Sequence, residues 1–435
     1  MIRSALIAGT HSGCGKTTVT LAIMSYLREK GFRVQPFKAG PDYIDPSWHK
    51  VVTGLPSVNL DLFSMGEDVK FWFWKYAHKA DFSPVEGVMG LFDGEFSSFE
   101  LAKLLKLPVI LVVDVYGMAE TVEVLVEGFK NRLQKYSIDL YLILNRVSSE
   151  RHLIRLEKKL KKFKVLGAIF KKREAEISSR HLGLFLPEHV SLKNEVIEVL
   201  KEEVKRNIDI DTLLSLGTDL KISNFSDAKA FNLNFPFKKL GIAFDEAFCF
   251  YYTHFLDILK SKCELKFFSP LRDKGFPEDV EALYIGGGYP ELFAEKLSEN
   301  RTFIKALKEF VDEGGVLYAE CGGFIYLCRF LNYRGKRYPL IGIFPFEVEM
   351  KGLYLDYCRV RLLENAVFLK RGDSFKGHEF HYTRIRECGE VKKVYEVKGL
   401  NKGSRLEGYT FKNALATYIH FLYPCNNLFL KKKDL

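Results

Sequence analysis

The sequence predicts a two-domain α/β protein: an N-terminal doubly wound parallel sheet with a phosphate-binding loop, then a second α/β domain. Three observations predict it. The 435 residues exceed what one ordinary core holds. Strand-like and helix-like stretches alternate along the first half, as in a parallel sheet covered by helices. Between Leu216 and Pro236 the periodicity lapses into a run rich in Asn, Asp, Ser and Lys, ending in Asn-Phe-Pro-Phe. The expected boundaries are residues 1–215, a linker at 216–237, and residues 238–435.

Each element follows from its local pattern. Residues 3–8 read as a strand, followed by a Gly-rich loop and a helix from Lys16 to Lys30. Residues 33–37 read as a second strand, and Glu86 to Gly90 ends a third. Pro108 to Asp114 is a continuous apolar run, the signature of a strand buried on both faces. Helical periodicity runs from Ala119 to Leu133, and Leu140 to Asn145 is again strand-like. In the second half, strands are expected from Leu240, at 282–285 and at 316–319. Helices are expected at 301–313 and from Phe324 to Leu331.

Composition narrows the function classes. Hydrophobic residues make up 47% and charged residues 28%, an ordinary soluble globular balance. No run of about 18 apolar residues is present, so no membrane helix is expected. The apolar part of Met1 to Gly9 is too short for a signal peptide, and the expected location is cytoplasmic. The formal net charge is +10, but the lysines fall in short clusters such as Lys158-Lys159, Lys161-Lys162 and Lys431-Lys432-Lys433. With no recognised reading module, nucleic acid is not an expected partner, whereas a small polyanion suits the charge. The 8 cysteines contain no C-x-x-C pair, which argues against a disulfide framework or a zinc site.

Gly9-Thr10-His11-Ser12-Gly13-Cys14-Gly15-Lys16-Thr17-Thr18 lies between a strand and a helix, the context a phosphate loop requires. Its backbone N–H groups, including those at Gly13, Gly15 and Thr18, are expected to face ATP phosphates. Lys16 would neutralise the β and γ phosphates and Thr17 would ligate Mg²⁺. Five residues separate Gly9 from Gly15, one more than usual, which resembles the loop of dethiobiotin synthetase, whose relatives phosphorylate carboxylates. Mg²⁺ needs further oxygen ligands. Asp45, Glu86, Asp93 and Asp114 are the candidates, all near strand ends. The stiff segment Phe37-Lys38-Ala39-Gly40-Pro41-Asp42-Tyr43-Ile44-Asp45-Pro46 cannot continue as helix; beside the phosphate loop it is either a substrate-holding loop or an ordinary turn.

In the second half, Gly286-Gly287-Gly288-Tyr289-Pro290-Glu291 follows an apolar strand. Gly287 and Gly288 suit an oxyanion hole. Ala319-Glu320-Cys321-Gly322-Gly323 places a cysteine between strand and helix, an elbow that exposes a nucleophile. The partner base is expected far along the chain, at His420. Nucleophile then distant histidine is the order of class I glutamine amidotransferases, which usually carry a glutamate two residues after the histidine; Leu422 stands there. Cys14 and Cys328 read as packing residues, Cys328 on the helix behind the elbow.

Together these segments resemble the cobyrinate a,c-diamide synthases of corrinoid biosynthesis. The likeness also covers Val58-Asn59-Leu60-Asp61, Arg180-His181-Leu182-Gly183-Leu184, Ala247 to Tyr252, Phe268-Ser269-Pro270-Leu271 and Gly377-His378-Glu379-Phe380-His381-Tyr382. It departs after Gly94, from Glu95 to Phe99, and at Leu422, where relatives often have a second histidine. The resemblance implies that an N-terminal domain binds ATP–Mg²⁺ and a tetrapyrrole polycarboxylate and phosphorylates its carboxylates. Lys38, Asp42, Tyr43, Asp45, Glu86 and Asp93 would form that site, with Thr17, Asp45 and Glu86 as magnesium ligands. It implies that the C-terminal domain hydrolyses glutamine through Cys321 and His420, and that the ammonia attacks the acyl phosphate. Hydrogenobyrinate, nickel sirohydrochlorin and the carboxylates used by cobyric acid synthases are alternative targets. A regulatory ATPase with an inactive amidotransferase-like domain is the reading from another class; the presence of Cys321 and His420 opposes it. No membrane partner is expected, and a homodimer is allowed.

Overall fold

The computed structural model describes residues 1–172, 194–220, 235–367 and 369–421. The segment Arg180 to Leu184, the position of Leu422 and the cluster Lys431 to Lys433 lie outside the described residues. The chain divides into two compact units, Met1–Phe225 and Ser226–Leu435.

The first unit is built on strands β1 (Ile2–Gly9), β2 (Phe37–Ala39), β3 (Val58–Leu60), β4 (Ser83–Gly90), β5 (Val109–Asp114), β6 (Leu140–Val147), β7 (Lys164–Phe170) and β8 (Gly217–Thr218). Their order is β3-β2-β4-β1-β5-β6-β7, all parallel, with β8 antiparallel to β1. Every residue from Val109 to Val113 has 0% exposure, as expected of a strand with helices on both faces. The helix Lys16–Glu29 lays Val19, Ile23, Met24 and Leu27 into the core beside Ile7, Ile110 and Val112. This packing fixes the loop between β1 and that helix at the carboxyl edge of the sheet, where α/β ligand sites form. The second strand begins at Phe37, later than the pattern at 33–37 suggests. Pro36 has no N–H to give a ladder, so Val34 makes only an isolated bridge to Phe82.

The second unit has strands β9 (Lys239–Ala243), β10 (Glu264–Phe268), β11 (Ala282–Ile285), β12 (Val316–Glu320), β13 (Cys328–Tyr333), β14 (Lys336–Pro339), β15 (Phe344–Leu362), β16 (Ser374–Glu387), β17 (Lys392–Gly399), β18 (Ser404–Phe411), β19 (Ala414–Thr417) and β20 (His420–Phe421). The sheet runs β10-β9-β11-β12-β19-β18-β17-β15-β13-β14, with β16 joining β15 to β20. Strands β10, β9, β11, β12 and β19 are parallel, and the rest is largely antiparallel. The helix after the elbow is shorter than expected, Gly322–Leu327, and Cys328 opens β13. The overlooked signal is the turn at Arg334-Gly335, with φ of 50° and 75°, which folds β13 back onto β14. Cys328 is nonetheless fully buried, so its packing role holds in a different element.

Leu317 has 0% exposure and lies in the strand that leads to Cys321. Leu317→Ala should cost about 2–5 kcal/mol in denaturant unfolding of the second unit. A loss below about 1 kcal/mol would mean that this strand is not part of a packed core.

Candidate active sites

The loop leaving β1 is held from below by β6. Asn145 donates from Nδ2 to the Cys14 carbonyl at 2.9 Å, and a Cβ on Gly15 would come within 2.1 Å of that nitrogen. Gly13 and Gly15 have φ of 84° and 89°, so glycine is needed there for conformation as well as space. Arg146 donates to the Gly13 carbonyl at 3.2 Å and to Asp114 at 2.6 Å. Asp114 is thereby tied to an arginine. Cys14 is buried against Gly9. Lys16, Thr17 and Thr18 open the helix half-buried, and the Thr17 hydroxyl donates to Glu86 Oε1 at 2.6 Å.

Glu86 organises the rest. It is fully buried in β4, in register with Ile7 on one side and Lys38 on the other. Lys38 is 2% exposed and donates to Glu86 Oε1 at 3.2 Å, to the Gly87 carbonyl at 3.1 Å and to Asp45; Asp42 lies at 3.6 Å. Asp42 also accepts the N–H groups of Ile44 and Asp45, fixing the start of the helix Ile44–Thr53 beside Tyr43. On that helix Asp45 and His49 are one turn apart and share a face. His49, fully buried, meets Glu86 Oε2 at 2.6 Å through Nε2 and Ser57 at 3.0 Å through Nδ1. The sequence reading missed His49, although its i, i+4 spacing from Asp45 was the available signal. Asp93 is exposed, and its carboxylate closes a local turn by accepting the Gly90 N–H at 2.8 Å.

Burial alone would lower the Lys38 pKa, but Asp45, Glu86 and Asp42 together outweigh it and hold the ammonium charged. Burial pushes Glu86 up, yet Lys38 and His49 bring it well below the usual carboxylate range. Burial, then Glu86, push Asp45 up against the pull of Lys38. Three carboxylates face one lysine, an excess of negative oxygen donors that suits a hard divalent cation. Among the described residues, no group of three or more His, Cys, Asp or Glu side chains is arranged to hold a metal alone.

The second site is the elbow after β12. Cys321 has φ 44° and ψ −101°, a strained conformation for a non-glycine residue that costs about 1–3 kcal/mol. Its N–H donates to the Thr417 carbonyl at 2.8 Å and its thiol to the Phe380 carbonyl at 3.8 Å. The turn closes because the next residues lack side chains: a Cβ on Gly323 would lie 2.2 Å from the Ile285 carbonyl, and one on Gly322 2.8 Å from the Gly288 nitrogen. Gly287 packs against His420, with a Cβ there reaching 2.4 Å from the ring. The glycine run therefore touches both elbow and imidazole. Tyr251 fixes that run, accepting the Gly286 N–H at 2.7 Å and donating to the Ala243 carbonyl at 2.5 Å.

His420 is fully buried and opens β20, opposite His378 on β16. Its Nδ1 lies 3.9 Å from Glu320 Oε2. Glu320 accepts the Tyr284 hydroxyl at 2.9 Å and the Phe421 N–H at 3.2 Å, and burial raises it to about 8. A carboxyl group thus stands beside His420, contributed by the residue preceding the nucleophile. Burial, then His378 and His381, hold His420 well below the ordinary imidazole range, so it is neutral. Burial, then Glu291, push the Cys321 thiol up, while the Gly322 N–H opposes them. The Gly377 to Tyr382 segment frames this centre: His378 meets the Tyr252 hydroxyl at 2.6 Å, and His381 stacks on Tyr418 at 4.1 Å.

Lys38→Met leaves Glu86 and Asp45 buried without their lysine. The variant should lose about 3–5 kcal/mol in denaturant unfolding of the first unit. A variant as stable as wild type would show that the cluster does not depend on Lys38.

Comparison with known proteins agrees with both halves. Residues 5–185 match the profile of the CobQ/CobB/MinD/ParA nucleotide binding domain, and residues 239–427 that of the CobB/CobQ-like glutamine amidotransferase domain. The cobyrinate a,c-diamide synthase of Caldanaerobacter subterraneus subsp. tengcongensis is 41% identical, over 97% of this chain and 95% of that protein. Those of Saccharolobus solfataricus and Clostridium acetobutylicum are 38% and 39% identical, over 95% and 99% of this chain and 96% and 99% of theirs. No helix among the described residues is long and apolar enough to cross a membrane. With near-complete coverage and matches in both units, the chain belongs to the cobyrinate a,c-diamide synthase family.

Proposed function

We propose that the chain amidates the a and c side-chain carboxylates of cobyrinate, using ATP to activate each carboxylate and glutamine to supply nitrogen. One observation carries this reading. A single chain holds both a phosphate loop hydrogen-bonded into a carboxylate–lysine cluster and a strained cysteine elbow beside a buried histidine. In the second unit, Cys321 attacks the carboxamide carbon of glutamine. Its thiol is un-ionised and His420 is neutral, so the proton passes to the imidazole as the bond forms. The amides of Gly287 and Gly288 receive the developing oxyanion. His420 protonates the departing ammonia, and water then releases glutamate from the thioester. Glu320 stands 3.9 Å from the imidazole; raised to about 8 by burial, it is largely un-ionised at neutral pH and positions the ring rather than neutralising its charge.

In the first unit, a substrate carboxylate oxygen attacks the γ-phosphorus and ADP leaves. Ammonia attacks the resulting acyl carbon, and phosphate departs with the former carboxylate oxygen. Lys16 offsets phosphate charge, while Lys38, Asp42, Tyr43 and Asp45 line the substrate side. Thr17, Glu86 and Asp45 would hold Mg²⁺, whose charge neutralises the phosphate oxygens. Asp93, which accepts the Gly90 N–H in its turn, would join the substrate side. The net charge of +10 suits a polycarboxylate. The same reading places the enzyme in the cytoplasm, acting on small molecules as monomer or homodimer.

Cys321→Ala should abolish glutamine-dependent amidation and retain amidation with added ammonia, whereas Lys16→Ala should lose both. Failure of ammonia to rescue a folded Cys321→Ala protein would refute this division of labour. Mass spectrometry of products from cobyrinate, hydrogenobyrinate and nickel sirohydrochlorin identifies the ring. Two amides on cobyrinate are expected; amidation of another ring instead would reassign the substrate.

A further inference from the structure

Glu291 is a buried carboxylate that the chemistry above does not use. It sits in the single helical turn Pro290–Phe293 directly after the glycine run. That turn abuts the elbow: a Cβ on Gly322 would lie 3.0 Å from the Pro290 ring. Glu291 is 9% exposed, yet among the described residues it has no ion-pair partner, and the hydrogen bond acting on its carboxylate comes from its own backbone. Burial raises it to about 7, and after burial it is the strongest influence raising the Cys321 thiol. Its turn borders the elbow, and its charge is felt at the Cys321 thiol. An ionised carboxylate in such a position is costly unless a cation meets it. The described protein supplies none.

We propose that Glu291 receives the α-ammonium group of glutamine and is a specificity-determining residue of the glutaminase site. The inference rests on Cys321 as the glutaminase nucleophile. When the carboxamide carbon is at Cys321 Sγ, the α-ammonium of the same molecule lies a side chain's length away, and the buried turn carrying Glu291 borders the elbow. Pairing there satisfies the carboxylate and also removes its negative charge from the thiol. Bound substrate thus eases ionisation of the nucleophile that will attack it. An amide lacking the ammonium gains neither effect.

The test compares glutamine with 4-carbamoylbutanoate, which is glutamine without the α-amino group, in wild type and Glu291→Gln. Wild type should use the analogue about 100-fold less efficiently in kcat/KM, a scale set by loss of one partner from a buried charge pair. Glu291→Gln should lose about 100-fold with glutamine, chiefly through KM, and change less than about threefold with the analogue. Amidation driven by added ammonia should stay at the wild-type level, which shows that the variant is folded. If that activity is lost, Glu291→Asp, which keeps the charge, replaces Glu291→Gln and should still prefer glutamine. Equal losses on both amides, or a wild type that fails to distinguish them, would overturn the assignment. Absence of any glutaminase activity in wild type would instead contradict the reading of Cys321.

Discussion

The first unit depends on one buried charge, Lys38. Its ammonium is surrounded by Glu86, Asp45 and Asp42, and none of these contacts is local in space by accident of loop shape. Lys38 and Glu86 are paired by the register of two parallel strands, and Asp42 and Asp45 arrive at the start of the helix that follows. Taking so much charge out of water is expensive, and geometry must be tightly specified to offset it. Once satisfied, the cluster fixes Glu86, and Glu86 fixes Thr17 in the phosphate loop and His49 on the helix. The loop after β1 and the helix Ile44–Thr53 are therefore tied together by one glutamate.

The second unit solves a different problem with backbone rather than charge. A cysteine is held, buried, at a turn too sharp for ordinary residues, and the strain at Cys321 is held by tight glycine contacts. The same contacts bring the glycine run against both Gly322 and His420. Electrostatics then keep the resting site quiet: the thiol is un-ionised, His420 is neutral, and the surrounding carboxyl groups are raised by burial.

Features made by adjacent residues were legible in the sequence. The loop from Gly9 to Thr18, the elbow at Cys321 and the glycine run each carry their chemistry in a contiguous segment. The stretch from Phe37 to Pro46 was expected to be a stiff loop that cannot be helical. Instead Phe37–Ala39 is strand, and Ile44, Asp45 and Pro46 form the first turn of the helix Ile44–Thr53, where proline is tolerated. Its salt-bridged interior was not legible. What escaped notice depends on register between distant strands. Asn145 reaches Cys14 because β5 and β6 bring them together. Glu320 lies beside His420 only because the β12 and β20 strands belong to the same folded sheet, which no spacing along the chain reveals. Cys328 was expected in a helix, whereas it pairs with Phe344 across the sheet and its strand turns back at Arg334-Gly335. A turn carboxylate and a site carboxylate look alike in sequence; the structure shows that Asp93 accepts the Gly90 N–H in a local turn.

The account stands or falls on whether the first unit activates a carboxylate by phosphorylation. Cobyrinate labelled with ¹⁸O in its a and c carboxylates, incubated with ATP, Mg²⁺ and glutamine, tests this directly. An acyl-phosphate route transfers one labelled oxygen to inorganic phosphate for every amide formed. Amide formation with unlabelled phosphate would contradict it.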